Sequence, residues 1–156
     1  MLSVLLNSPD SHGMLSTILL IDDSPGECEL LRQALTQAGY QGRLEMTHDR
    51  LGALTRLSLE PHSGGPGLIL LDLKLQGERG VDVLRQLKQD PRYGHIPIVV
   101  LTSSDDTLDI RACYQAGANG YVVKPDRFED LVTLSVHLWK FWIEHNCTQR
   151  MAIPAC

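Results

Sequence analysis

The sequence predicts a doubly wound α/β domain built on a parallel sheet, and three observations carry that prediction. Short apolar runs bounded by turn residues recur at Ile18–Ile21, Leu68–Leu71, Ile98–Leu101 and Tyr121–Val123. These runs are continuous rather than alternating, as expected of strands covered by helices on both faces. Segments with helical apolar spacing follow each run, so strand and helix alternate five times once the weaker alternating stretch Arg43–His48 is read as a strand.

The elements follow in order. Ile18–Ile21 runs straight into two adjacent carboxylates, Asp22 and Asp23. A helix start comes next: Ser24 suits the N-cap, Pro25 the first helical position, and Glu27 three residues after Ser24 completes a capping box. Leu30, Leu31, Ala34 and Leu35 supply its apolar face and Gly39 stops it. After Arg43–His48 a second helix carries Leu51, Leu54 and Leu57, and "PHSGGPG", residues 61–67, reads as a loop. Leu68–Leu71 ends on Asp72 and leads to a helix with Val83, Leu84 and Leu87. Ile98–Leu101 ends on Thr102, and its helix carries Leu108, Ile110, Ala112 and Cys113. "GANG", residues 117–120, turns into the strand Tyr121–Val123, which is followed by Lys124 and Pro125. Pro125 marks a fixed turn in which a cis bond is admissible. A long helix over Phe128–His145 closes the domain.

Composition narrows the function classes. A chain of 156 residues suits one domain, expected over 17–146 between an N-terminal extension, 1–16, and a tail, 147–156. The net charge of −5 argues against a nonspecific grip on nucleic acid. No apolar run approaches the roughly 20 residues of a membrane helix, and the start lacks the basic region of a signal peptide. Cys28, Cys113, Cys147 and Cys156 are widely spaced with no C-x-x-C pair, which suits reduced thiols in a cytoplasmic protein. His48, His95, His137 and His145 are scattered and read as surface residues.

In an open parallel sheet, ligands bind outside the carboxyl ends of the strands. This chain places Asp22, Asp23, Asp72, Thr102 and Lys124 there. Crowded carboxylates raise one another's pKa unless a cation joins them. Mg²⁺, which takes oxygen ligands and often bridges carboxylates to a phosphate, suits that place.

The pieces "LLIDDS", "LILLDLKLQGERG", "PIVVLTSSD" and "GANGYVVKP" resemble the receiver domain of two-component response regulators, over about residues 17–145. The resemblance implies a flavodoxin-like five-stranded sheet of order 2-1-3-4-5, the handedness and switch-point geometry of which are general to such folds. It implies that Asp23 and Asp72 bind Mg²⁺ directly, Asp22 through water and Lys74 by its carbonyl. Asp72 would accept the phosphoryl group from a sensor histidine kinase, with Lys124 and Thr102 contacting the phosphoryl oxygens and Thr102 and Tyr121 acting as the switch. Such a protein catalyses only its own phosphorylation and dephosphorylation. The chain departs from the common pattern at Leu75-Gln76-Gly77-Glu78-Arg79-Gly80, where only Gly80 keeps its place and a usual proline is missing, so a looser loop is expected. Lys74 and Ser104 occupy positions that tune attack of water on the acyl phosphate.

"IDDSPGE", the loop before the third strand and the "FW" near the end also resemble small single-domain regulators of phytochrome-type kinases. Two apolar stripes on the last helix, one with Leu131, Leu134, Leu138 and Trp142 and the other with Val132, Val136, Trp139 and Ile143, are centred about 110° apart. One packs on the sheet and the other leaves a partly exposed apolar face; a homodimer is expected through the fourth and fifth elements with the last helix central, including Trp139, Trp142 and Ile143, a cap on the core being the alternative. About ten residues follow His145, so the expected output is protein contact or onward phosphotransfer. Two other classes stay open: an unphosphorylated pseudo-receiver, which would usually lack one of the five key residues, and a haloacid-dehalogenase-type phosphatase, which wants a second acid where Lys74 stands.

Overall fold

Every residue of the strand Leu68–Leu71 is buried, which requires helices on both faces of the sheet. The computed structural model describes residues 16–59 and 65–147. The expected extension and tail, apart from Ser16 and Cys147, lie outside the described residues, as do residues 60–64 of the loop and Cys156. The order of elements is β1 (Thr17–Ile21), α1 (Pro25–Gln37), β2 (Arg43–Thr47), α2 (Arg50–Leu59), β3 (Leu68–Leu71), β4 (Lys74–Leu75), β5 (Glu78–Arg79), α3 (Gly80–Gln89), β6 (Ile98–Thr102), α4 (Thr107–Gln115), β7 (Gly120–Val123) and α5 (Phe128–Trp139), which runs into a π-helical turn, Lys140–His145.

The main sheet has the order β2-β1-β3-β6-β7 and every pairing in it is parallel. With the small antiparallel hairpin β4–β5 set aside, this is the expected 2-1-3-4-5 arrangement. Alternate residues of the central strands feed two core layers. Leu19, Ile21, Ile69, Leu71, Ile98 and Val100 meet α2, α3 and α4 through Leu57, Leu84, Leu87 and Cys113. Ile18, Leu20, Leu68, Leu70, Val99 and Leu101 meet α1 and α5 through Cys28, Leu31, Leu35 and Leu138. Edge strand β2 is only half-buried. Its Glu45 takes an ion pair from Arg56 and another from Arg43, and charge of this kind discourages pairing with a further strand.

Helix α1 starts and stops largely as its sequence predicts. Ser24 accepts from the Glu27 amide at 3.4 Å, Pro25 is the first helical residue, and Gly39 at φ +83° lets the Tyr40 amide close on the Leu35 carbonyl at 3.0 Å. The apolar faces are narrower than the sequence suggests: Leu30, Leu51 and Leu108 lie on the solvent side at 48%, 73% and 72% exposure. Each stands about one residue, roughly 100°, off the stripe that meets the sheet.

The end of the last helix differs from the expectation. The Asn146 amide bonds the Phe141 carbonyl at 2.7 Å, the wider spacing of a π turn. Trp139 donates its indole N–H to the Ala38 carbonyl at 3.1 Å and its ring lies 6.3 Å from that of Tyr40. Trp142 and Ile143 pack on the same core layer, while Phe141 stays 54% exposed against the edge of Trp142. The side chains expected to face a second copy therefore cover the domain's own core. Of these side chains, only Trp142 and Ile143 lie in the wider turns of Lys140–His145, where a fixed 100° per residue no longer holds.

Because Trp139 is half-buried and hydrogen-bonded, Trp139→Ala is expected to lower the unfolding free energy by about 2 kcal/mol. Urea denaturation followed by circular dichroism measures this, and a loss below about 0.5 kcal/mol would mean that the contact with α1 is dispensable.

Candidate functional site

The ladder hydrogen bonds run one residue past the ends of the strands, and so fix the backbone that carries the polar side chains. The Asp22 amide bonds the Thr47 carbonyl, the Asp72 amide bonds the Ile21 carbonyl, both at 3.0 Å, and the Lys124 amide bonds the Thr102 carbonyl at 2.7 Å. Asp22, Asp72, Thr102 and Lys124 therefore leave four neighbouring strands at one edge in register.

There the Lys124 ammonium donates to Asp22 Oδ2 at 2.9 Å, Asp72 Oδ2 at 3.2 Å and Glu27 Oε2 at 2.5 Å. An oxygen from each of these three acids lies within 4.8 Å of the others. The Asp22 and Asp72 side chains are almost closed to solvent, at 2% and 8% exposure, whereas Glu27 at 45% stands at the mouth. Burial pushes the Asp22 carboxyl above its ordinary value, against the lowering effect of Lys124 and of the Ser24 amide at 2.9 Å. Burial alone would push Lys124 down, but Glu27, Asp22 and Asp72 outweigh it and hold the ammonium above its ordinary value. One positive charge against three negative ones leaves a surplus of carboxylate.

Asp23 is not among the three acids that Lys124 bonds. Its Oδ2 accepts from the Gln76 amide at 2.8 Å, which ties β1 to the turn between β4 and β5. The expectation pairs Asp23 with Asp72 as the direct ligands; among the described residues the carboxylates that Lys124 gathers are Asp22, Glu27 and Asp72, while Asp23 is held by the Gln76 amide. Glu27 is the member that sequence reading missed, because it was assigned only to the capping box. That box is half-formed: the Ser24 amide goes to Asp22, and the Glu27 carboxylate turns to Lys124. The available signal was a third acid within six residues, on a helix turn that opens at the same sheet edge.

The loop after Asp72 is fastened without its proline. Leu75 is buried, Gly77 turns at φ +75°, and Glu78 receives the Arg50 amide at 2.7 Å. The Lys74 amide bonds Asp72 Oδ1 at 3.3 Å, and its ammonium lies 3.5 Å from the Ser103 hydroxyl. Gly80 opens α3 directly on the backbone of Asp72: a Cβ there would stand 2.4 Å from the Asp72 carbonyl oxygen and 2.5 Å from the Leu73 Cα.

Thr102 is fully buried, and its hydroxyl oxygen accepts from the Ser104 amide at 3.4 Å. Ser104 is a junction: its hydroxyl donates to Asp109 on α4 at 2.6 Å, and its carbonyl accepts from the Tyr121 hydroxyl at 2.9 Å. Tyr121 thus packs against the core layer and bonds the β6–α4 loop in this structure. No described peptide bond is cis, so the Lys124–Pro125 turn is trans. His48, exposed as expected, lies with its Nδ1 3.1 Å from the Asp22 carbonyl oxygen.

Residues 18–135 match the response regulator receiver domain family. Among curated proteins, the chain is 38% identical over 133 residues to the probable methanogenesis regulatory protein FilR2 of Methanothrix harundinacea, spanning 83% of this chain and 84% of that one. It is 35% identical over 130 residues to the response regulator Rcp1 of Synechocystis, spanning 81% and 88%. The Mn²⁺-bound structure of Rcp1 superposes with a TM-score of 0.75 at 33% identity, over 86% of this chain and 99% of that one. The phosphorylated cyanobacterial phytochrome response regulator RcpA superposes with a TM-score of 0.77 at 28% identity, over 85% and 97%.

Two outcomes follow from the geometry. Gly80→Ala is expected to cost about 1–3 kcal/mol of stability and to shift the Asp72 and Leu73 amide resonances, because α3 must back away from the acceptor loop. Unmoved resonances would place the strain elsewhere. Asp22 is an acid whose folded pKa exceeds its unfolded one, so its contribution favours the fold at low pH and is lost as pH rises through the folded value. Asp22→Asn removes that loss, and at neutral pH in chelator its urea midpoint is expected above that of the wild type; an equal or lower midpoint would contradict the raised value.

Proposed function

Because this chain belongs to the response regulator receiver family, we propose that it is a signalling phosphoacceptor: Asp72 takes a phosphoryl group from a phosphohistidine of a phytochrome-type sensor histidine kinase, and a protein-binding surface responds. The Lys124 ammonium bridging buried Asp22 and Asp72 is the observation that supports this best, since it places an acceptor carboxylate beside a fixed positive charge. The partner class rests on likeness to Rcp1 and RcpA.

An Asp72 Oδ attacks phosphorus as the P–N bond to the imidazole breaks, and the imidazole nitrogen keeps the electron pair. This chemistry asks the protein mainly for position and charge. Lys124 neutralises phosphoryl oxygens as a point charge on a flexible stem. Thr102 donates its hydroxyl to one of them. The carboxylate surplus and the raised Asp22 fit a divalent cation. Asp23, Asp72 and the Lys74 carbonyl would hold it, with Asp22 acting through water. Mg²⁺ when bound supplies charge neutralisation at the phosphoryl oxygens. Lys74 and Ser104, at the rim, tune the entry of water during self-catalysed dephosphorylation.

The switch runs through contacts already made. When Thr102 turns to the phosphoryl group it releases the Ser104 amide. Ser104 carries Asp109 of α4 and the Tyr121 hydroxyl with it, so the loop, α4 and β7 shift together. Leu108 and Val123, 72% and 43% exposed, lie on these elements and serve a homodimer through α4, β7 and α5. Trp139, Trp142 and Ile143 brace that face from behind rather than contacting the second copy.

Asp72→Asn is expected to abolish phosphoryl acceptance and to keep the circular dichroism spectrum; a phosphorylated mutant would assign another acceptor. Mg²⁺ at about 100 times its Kd is expected to stabilise the wild type by about 2.7 kcal/mol, reversibly with chelator. Asp23→Asn should lose most of that gain in thermal melts, and an unaltered gain would remove Asp23 from the cation site.

A further inference from the structure

Glu27 has no place in the functional reading so far, yet its contact with Lys124 is the shortest that the ammonium makes. The geometry of the mouth says what this contact does. Lys124 Nζ stands where a cation shared by Asp22, Glu27 and Asp72 would stand, so the resting site is filled by the protein's own ammonium. Asp22 and Asp72 hold it while nearly closed to solvent; Glu27, the exposed member of the three, holds it on the solvent side. The Glu27 carboxylate therefore opposes a phosphoryl group twice. It occupies the ammonium that the group needs, and it repels the group's charge.

The side chains have room to rearrange. A cavity of about 240 Å³, lined by Leu20, Glu27, Leu31, Leu101, Lys124 and Leu131 among others, lies directly beside the ion pair. Lys124 and Glu27 form part of its polar wall, so the lysine stem can swing without repacking either core layer. The backbone end of Glu27 is held separately from its side chain: its amide donates to the N-cap hydroxyl of Ser24 at 3.4 Å, within the first turn of α1.

We propose that Glu27 is a positioning residue that clamps Lys124 in the resting state and competes with the phosphoryl group for its ammonium. This rests on the proposed phosphoacceptor function. Release of the clamp is then part of accepting the group, and the identity of residue 27 sets how readily the site charges.

The test compares the full-length wild type with Glu27→Gln and Glu27→Asp in two measurements. First, acetylation of Lys124 by an N-hydroxysuccinimide ester is followed by mass spectrometry in chelator, without phosphate. Glu27→Gln is expected to label about two- to fivefold faster, the range of an exposed ion pair, with Glu27→Asp nearer the wild type. Equal labelling in the wild type and Glu27→Gln overturns the clamp. Second, beryllofluoride adduct formation at Asp72 is timed at saturating Mg²⁺, and Glu27→Gln is expected to react about two- to fivefold faster. Normal adducts at an unchanged rate overturn the competition. Faster labelling with no adduct in any of the proteins, the wild type included, leaves the clamp standing and defeats the phosphoacceptor reading instead.

Discussion

One ammonium has to answer several carboxylates at the carboxyl edge of this sheet, and the rest of the site is arranged around that imbalance. Lys124 meets Asp22, Asp72 and Glu27 at once. Removing two carboxylates from water is unfavourable unless a partner is held close. The fold supplies the partner by extending its ladder bonds past Ile21, Leu71 and Val123, so that the charged residues are delivered by backbone that cannot slip. The imbalance that remains is what makes the site receptive to a further cation.

The supporting parts follow from the same need. Gly80 exists at the start of α3 because nothing larger fits against the Asp72 carbonyl. The Gln76 amide restrains Asp23, the carboxylate that follows Asp22 at the strand end. Ser104 links the buried Thr102 to α4 and Tyr121 by three hydrogen bonds, the shortest of them to the Asp109 carboxylate. Rigid strands thus present the charges, and a short loop connects the buried edge to α4 and β7.

Much of this was legible in the order of residues. Continuous apolar runs at Ile18–Ile21, Leu68–Leu71 and Ile98–Leu101 identify buried parallel strands because no other arrangement hides both faces. Asp22, Asp72, Thr102 and Lys124 could be placed together because each directly follows such a run. Glu27 was misassigned because two partners competed for one carboxylate, and a charged amine prevailed over a backbone amide. Trp139, Trp142 and Ile143 pack on the domain's own core layer, and a helical wheel carries no sign of the contact that Trp139 makes with Ala38 and Tyr40. Leu51 and Leu108 looked like core for lack of any local sign that they sit beside the stripe rather than on it.

The aromatic clasp of Trp139 on Ala38 and Tyr40, extended by Ile143 reaching toward Gly67, sits at the amino-terminal pole of the sheet. The acids sit at the opposite pole. A parallel sheet has two chemically unlike ends, and this chain assigns mechanical anchorage to one and charge to the other. The clasp and the acid cluster share no residue, so what ties the last helix down and what carries the charge are held by separate sets of side chains at opposite ends of the same strands.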